Sequence, residues 1–401
     1  TVCGFVADKT HVHTEDSGTV TTAPTCVTKG VKTYKCTVCG EALRTEEIPA
    51  TDHTEDSGTV KTAPTCVTKG VKTYKCSVCK VVLRTEELPE LYSSPVDAET
   101  GLPATKSSRY IYFGVFPKTV LPVGSTVTVN ETVSVKMGGD TYYKGSDGEY
   151  YAKVMENAQS DYSYNKYSDG TQVKKSDAES YRYFKVEPVK WKVITDSYSG
   201  KCLLLAEDIL TANIPYYPDT QYRVIAFTNV YVYPSNYKYS AIRAYLNGKY
   251  ESYDTQLEPY ENKGFLQTAF TAEAQNLIAV TTVDNSAAST TDSGNNLTEA
   301  TSYACADTED KIFLLSLKEA TSYGFPAYNK SGTGNARIRK PTDYAKANYA
   351  DYDGYWWLRS PGYSNGNYAY SVNSDGCAYD GGYYVNITSR GVVPALSISL
   401  P

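Results

Sequence analysis

The chain has 401 residues, a formal net charge of −6 and 41% hydrophobic residues, with an isoelectric point near 5.3. That length predicts two or three domains, the larger with enough apolar residues for a core of its own. The acidic balance argues against a nucleic-acid surface, which needs a concentrated basic face. No apolar run approaches the roughly 18 residues of a membrane-spanning helix.

The N-terminal part repeats at a period of 40 residues, as arrayed small modules do. His13–Cys36 and His53–Cys76 read alike except that Thr21 becomes Lys61. Seven of the ten cysteines precede residue 80. Each copy carries one His and three Cys in the same spacing: His13, Cys26, Cys36 and Cys39, then His53, Cys66, Cys76 and Cys79. Three thiols are an odd count for disulfides, whereas three Cys and one His complete a closed, structural zinc tetrahedron. The competing reading is disulfide pairing in an oxidising exterior. Cys79 has no His after it, so the spacing predicts that each site closes within its own repeat. His11, matched by Thr51, is read as a solvated bystander. Gly40 supports the turn of the first C-x-x-C; Lys80 stands there in the second. Residues 1–12 are read as a partial repeat, since Thr1-Val2-Cys3-Gly4 matches Thr37-Val38-Cys39-Gly40. Residues 13–52 and 53–92 are zinc-ribbon-like repeats that act as a spacer. Modules this small draw folding free energy from their metal.

Residues 93–108 form a polar linker, and 109–401 form the large domain. Arg109–Phe113 predicts a strand, and Thr126–Lys136 alternates with the period of a strand or hairpin. Ser160–Asp177 is polar and rich in Tyr, which predicts a long surface loop. Tyr183–Thr195 and Lys201–Ile209 flank a DSYSG hairpin turn. Ser240 caps a helix with Ile242, Tyr245 and Leu246 on one face; Thr271 caps a second with Leu277 and Ile278 inward. Ile312–Leu315 is a buried strand, and Ser316-x-x-Glu319 is a capping box. Asp307, Glu309 and Asp310 read as a solvated acidic cluster. A short helix starts at Pro341-Thr342-Asp343, and strands return at Tyr355–Arg359 and Val392–Ser399. This order predicts an α+β fold with a mainly antiparallel sheet.

The segment of about 356–397 alternates two vocabularies. Between Tyr363 and Tyr384 stand six Tyr and twelve Asn, Ser, Asp or Gly, leaving only Ala369, Val372, Cys377 and Ala378. Tyr gives amphipathic contact area with few torsions to freeze, and small polar residues give adaptable hydrogen bonds. The palette predicts a binding surface on a fixed frame.

WWLRSPG, the Tyr-rich stretch, VNSDG and GVVPAL together resemble the C-terminal segment of a bacterial family with the C-type lectin fold, in its formylglycine-generating-enzyme-like branch. The chain looks most like the Treponema variable protein group, the targets of diversity-generating retroelements. Supporting pieces are Tyr112-Phe-Gly114, Pro188-Val-Lys-Trp191, Ala241–Asn247, Lys311–Leu315 and Pro341–Ala345. The resemblance implies a C-type lectin-like domain over 109–401 and a diversifiable ligand-binding surface. Its candidate residues are Tyr363, Ser364, Asn367, Tyr368, Tyr370, Asn373, Ser374, Cys377, Tyr379, Asp380, Tyr383, Tyr384, Asn386 and Arg390. Trp356, Trp357, Gly376, Val385, Gly391 and Pro394 would be frame. Val393 departs from the family, which usually carries Arg there.

Catalysis lacks support. No His follows His53, which removes imidazole acid–base work and a Ser-His-Asp relay from the large domain. Cys202, Cys305 and Cys377 form no paired copper-binding motif, and no phosphate loop or dinucleotide fingerprint is present. The sequence therefore predicts no enzyme, but a secreted or surface-displayed receptor- or adhesin-like protein. Its partner would be a protein or glycan, including one on another cell, with any lipid anchor on a segment outside this chain. The alternatives are a non-varying structural or adhesive surface module and an oxidase-related enzyme of the formylglycine-generating type.

Overall fold

The computed structural model describes residues 11–62, 69–88, 110–158, 163–175, 180–221, 223–225, 230–249, 260–290, 303–323, 325, 335–350, 354–362, 366–378 and 382–398. The chain divides into two compact units, with the break at Glu90/Leu91.

In the first unit, β1 (Thr19–Thr22), β2 (Gly30–Lys35) and β3 (Ala42–Ile48) form an antiparallel sheet in that order. β4 (Thr59–Thr62), β5 (Gly70–Lys75) and β6 (Val82–Leu88) repeat it. The register repeats too, with Thr19 opposite Thr33 and Thr59 opposite Thr73. These sheets bury little: all four residues of β1 are exposed. Tyrosine stacks stand in for a core. The Arg44 guanidinium lies 3.6 Å from the Tyr34 ring centre and the Lys32 ammonium 4.8 Å from it. Glu15 accepts from Arg44 Nε at 3.0 Å, and Tyr74, Arg84 and Glu55 reproduce the arrangement.

The second unit is sheet-rich α+β. Its strands begin with β7 (Tyr110–Val120), β8 (Val129–Met137), β9 (Asp140–Gly145), β10 (Tyr150–Met155), β11 (Tyr181–Tyr198) and β12 (Lys201–Ala206). Then come β13 (Arg223–Ile225), β14 (Val230–Val232), α1 (Ala241–Asn247), α2 (Phe265–Ala269), α3 (Ala272–Leu277), β15 (Thr281–Val283), α4 (Ala287–Thr290), β16 (Thr308–Asp310), β17 (Ile312–Phe313) and α5 (Leu317–Ala320). The series ends with α6 (Asp343–Ala347), β18 (Trp356–Pro361), β19 (Tyr368–Val372), β20 (Tyr383–Tyr384) and β21 (Ala395–Ile398). Every pairing between these strands is antiparallel. The main sheet runs β17-β21-β12-β11-β10-β9-β8, with β7 also on β11, while β18-β19-β20 form a separate three-stranded sheet.

Local chemistry explains the joints. Ser199 and Gly200 turn the β11–β12 hairpin with φ of 49° and 76°, the left-handed pair of a tight hairpin turn. The Ser240, Thr271, Ser316 and Thr342 side chains cap α1, α3, α5 and α6 by accepting an amide three residues on, each cap contributing about 1 kcal/mol. The main core joins Ile111, Phe116, Trp191, Leu203–Leu205 and Ile312–Leu315 to Trp356, Trp357, Val385 and Leu396.

Three expectations change. The stretch predicted as a surface loop anchors a second core: Tyr167 and Val173 are buried against Phe184 and Val120. Leu277 is exposed while Ile278 is buried, because α3 ends at Leu277 and the chain turns inward. Asp310 is buried, not solvated; Arg243 Nε donates to both its carboxylate oxygens at 2.9 and 3.1 Å.

A buried ion pair ties the core to β18. Arg359 is wholly buried on that strand and donates to both oxygens of Glu319 on α5. Tyr198 Oη and the Ser316 amide also donate to Glu319, at 2.7 and 2.8 Å. Burial pushes the Glu319 carboxyl upward, but the Arg359 charge and these hydrogen bonds prevail and hold it below its usual range.

Candidate functional site

Among the described residues, two regions bring chemistry together. The first is a pair of Cys/His clusters in the repeats. His11, His13, Cys36 and Cys39 form one; Cys26, His53, Cys76 and Cys79 form the other, and in each all ligand atoms lie within 4.8 Å of one another. Both clusters could hold a metal ion. His11 Nε2 is 3.2 Å from Cys36 Sγ, and His13 Nδ1 is 3.6 Å from Cys39 Sγ. In the second cluster Cys26 Sγ is 3.6 Å from Cys76 Sγ, and His53 Nδ1 is 3.5 Å from Cys79 Sγ.

The ligand sets differ from the within-repeat expectation. Cys26 belongs to the cluster of the following repeat, and His11 is a ligand candidate rather than a bystander. The reason is the length of chain between Cys26 and the next His. That stretch folds as β2 and β3, which carries Cys26 to the far end of its sheet from the Cys36/Cys39 turn. There it meets the knuckle of the second sheet. Cys66 lies outside the described residues.

The C-x-x-C turns favour thiolates. Amide donation from Cys39 and then Val38, together with His13 and His11, outweighs burial and draws the Cys36 thiol down to about 5. Cys76 is likewise drawn down to about 5 by the Cys79 amide first, then His53 and the Val78 amide, against burial. Burial, then Cys79 and Cys76, pushes Cys26 up to about 11. Gly40 and Lys80 both take positive φ, 77° and 62°, as each donates its amide to the first thiol's carbonyl, at 2.9 and 3.0 Å. Lys80 therefore carries left-handed strain that Gly40 does not.

The second region is a tyrosine face on β19 and β20. Tyr368 and Tyr384 are cross-strand partners, and their rings meet edge-on with centres 4.6 Å apart. The adjacent Tyr383 is 41% exposed and Tyr384 45%. The hydrogen bond to Tyr384, then burial, raises the Tyr368 phenol. The Arg390 guanidinium lies between two rings, 4.6 Å from Tyr383 and 4.2 Å from Tyr355. Asn386 is exposed, and Asn367, Asn373 and Ser374 are half-buried.

Beneath this face the frame is solid. Trp356, Trp357, Val372, Val385 and Val393 are buried in the core. A Cβ on Gly391 would lie 2.2 Å from Ile209, so only glycine fits there. The Asn373–Cys377 turn is clamped by buried Arg337, whose Nε donates to the Gly376 carbonyl at 2.6 Å. Three of the predicted contact residues belong to this frame. Tyr370 is fully buried within the main core. Cys377 is buried at the Arg337-clamped turn, and Arg390 is buried and acts through the rings that it holds. Tyr363, Ser364, Tyr379 and Asp380 lie outside the described residues.

Sequence reasoning missed the flank of the face. The Tyr233 ring packs where a Gly366 Cβ would be, 2.3 Å away, and meets Tyr303 at 5.0 Å. Tyr231 is 73% exposed. The signal was the alternation Val230-Tyr-Val-Tyr233, which reads equally well as an ordinary strand.

A family model described as a domain of unknown function, DUF6273, matches residues 199–400. The chain belongs to the DUF6273 family. The DUF6273 match begins in the β11–β12 turn and so takes in the buried frame and the tyrosine face above it. No curated protein and no solved structure matches the chain.

Proposed function

We propose that the protein is a secreted or surface-displayed binding protein. Its region 109–401, which contains the DUF6273 match, would be a C-type lectin-like domain whose tyrosine face engages a protein or glycan. The observation that carries this reading is the contrast within one sheet. Tyr368, Tyr383 and Tyr384 reach solvent as a contiguous aromatic cluster, while the strands under them are buried. Exposed aromatic anchors on a rigid base are the usual source of binding energy in polar contacts. Side chains on such a face can change without disturbing the core, as retroelement diversification of a ligand surface would require.

Zinc is the metal proposed for both clusters, as structural closed sites. Zinc–sulfur bonds of about 2.3 Å and zinc–nitrogen bonds of about 2.0 Å place tetrahedral corners about 3.8 Å apart for two sulfurs and about 3.5 Å apart for sulfur and nitrogen. The observed 3.6 Å between sulfurs and 3.2–3.6 Å between sulfur and imidazole approach the corners of that cage. The donor set, soft thiolates with imidazole, suits the same ion.

The test applies the labelled full chain to arrayed glycans and to immobilised cell-surface proteins. Saturable binding is expected, falling at least about 30-fold when Tyr368, Tyr383 and Tyr384 are all changed to Ala. Binding that the triple variant leaves intact, or no saturable binding at all, overturns the proposal.

A further inference from the structure

The β11–β12 turn, the connection from β15 to α4, and α5 surround a cavity of about 230 Å³. Among the described residues nine line it, and six of them carry a hydroxyl: Tyr198, Ser199, Thr282, Ser289, Ser322 and Tyr323. Asp284 and Lys318 add one charge of each sign, and buried Glu319 is the ninth. The residues of the tyrosine face on β19 and β20 take no part in this lining. One buried hub holds the walls. Arg359 donates to both oxygens of Glu319, to the Asp284 carbonyl at 3.1 Å and to the Ser289 hydroxyl at 3.4 Å. Tyr198 Oη donates to the same Glu319. Three segments far apart in the chain are thus fixed in advance, which spares a ligand the entropy of ordering them. Tyr323 has a φ of 51°, a conformation that a bulky residue adopts only where its surroundings impose it. Its ring meets Tyr198 edge-on at 6.1 Å and stays 42% exposed.

The lining selects the ligand. Arg359 balances Glu319, and Lys318 balances Asp284, so the site has no net charge with which to hold a lone ion. Hydroxyls donate and accept alike, and six of them suit a partner whose own groups do both. The Asp284 carboxylate accepts from such a partner and the Lys318 ammonium donates to it, each bond strengthened by the charge. The volume of about 230 Å³ lies below the roughly 300–1,000 Å³ of sites for drug-sized molecules, which limits the occupant to one ring. An aromatic ring offers its electron-rich face to weakly positive C–H groups. We propose that this cavity binds one neutral sugar ring, free or at the end of a glycan chain. The apolar face of the sugar rests on Tyr323, and its hydroxyls reach Asp284, Lys318 and the hydroxyls around them. This site is separate from the tyrosine face and does not depend on what that face engages.

The test is saturation-transfer NMR of the full chain with glucose, galactose, mannose and N-acetylglucosamine, each as the free sugar and as its methyl glycoside, and with the amino acid glycine as a zwitterion. Saturable binding of at least one sugar is expected. It should fall at least about 10-fold, the scale of one charge-assisted hydrogen bond, in Asp284→Asn and in Tyr323→Gly. The first keeps the acceptor for the Ser286 amide, and the second removes the ring while relaxing the left-handed backbone. Lys318→Ala, a change at an exposed position, gives the same reading should either of these unfold. The variant with Ala at 368, 383 and 384 should bind sugar as the unmodified chain does. Binding of the free sugars alone supports a monosaccharide as the occupant, and equal binding of the glycosides supports a chain end. No saturable binding of any sugar overturns the proposal, as does binding that the cavity variants leave intact, binding lost only in the tyrosine-face variant, or tighter binding of glycine.

Discussion

Tyr370 and Tyr383 carry the same ring on neighbouring strands, and their surroundings separate their roles. Tyr370 is enclosed by the core, whereas Tyr383 rests on Arg390 and faces solvent. Tyr370→Ala should cost about 3–5 kcal/mol, as other large aromatic truncations in cores do. Tyr383→Ala should stay within about 1 kcal/mol, the scale of a surface cation–π contact. Chemical denaturation of the two variants checks the contrast. Glu319 makes a second residue-scale prediction. Its carboxyl is held below the usual range in the folded state, so its contribution is fully present above the unfolded value of about 4.3 and is lost as pH falls through the folded one. Glu319→Gln leaves Arg359 buried without its counter-charge and should cost about 3–5 kcal/mol near neutral pH. The difference from the unmodified chain should shrink in acid, as followed by unfolding at pH 7 and below pH 4.

The exchange of Cys26 belongs to the scale of the element. Among the described residues the first repeat does not close on itself; β3 runs back along β2 to the end where Cys26 stands, and Cys26 joins the knuckle of the next repeat. Cys26→Ser should therefore remove metal from the His53/Cys76/Cys79 site and spare the His11/His13/Cys36/Cys39 site. Closure within one repeat predicts loss at the first knuckle instead. Native mass spectrometry of limited-proteolysis fragments distinguishes the two. The same scale explains why spacing misled: identical repeats give every ligand two equivalent addresses one period apart. Only the direction in which the sheet carries Cys26 selects between them. The capped helices are the opposite case, because a Ser or Thr that accepts an amide three residues on is a local contact that the sequence spells out.

At the scale of the molecule, the two compact units draw on different sources of stability. The repeats have few buried residues among those described, while the larger unit has a continuous apolar core. A chelator should abolish the melting transition of residues up to about 90 and leave that of the larger unit within about 2 °C, as two separable transitions in calorimetry. A coincident loss of both would show that the larger unit depends on the metal as well.

Among the described residues, the sequence by itself determined what is local or periodic. It specified the mainly antiparallel pairing, the caps at Ser240, Thr271 and Ser316, the helix start at Thr342, the Ser199-Gly200 turn, and the Cys and His residue types at the knuckles. These depend on contacts within a few residues or on a repeat of two along a strand. Tertiary structure alone decided which tyrosines face solvent, that Asp310 and Arg359 are buried with partners far away in the chain, and which repeat receives Cys26. Those outcomes depend on which surfaces cover a residue from other elements. A Tyr, an Asp or a Cys carries no mark of its cover in its own neighbourhood, so burial and long-range pairing became readable only once the chain had folded.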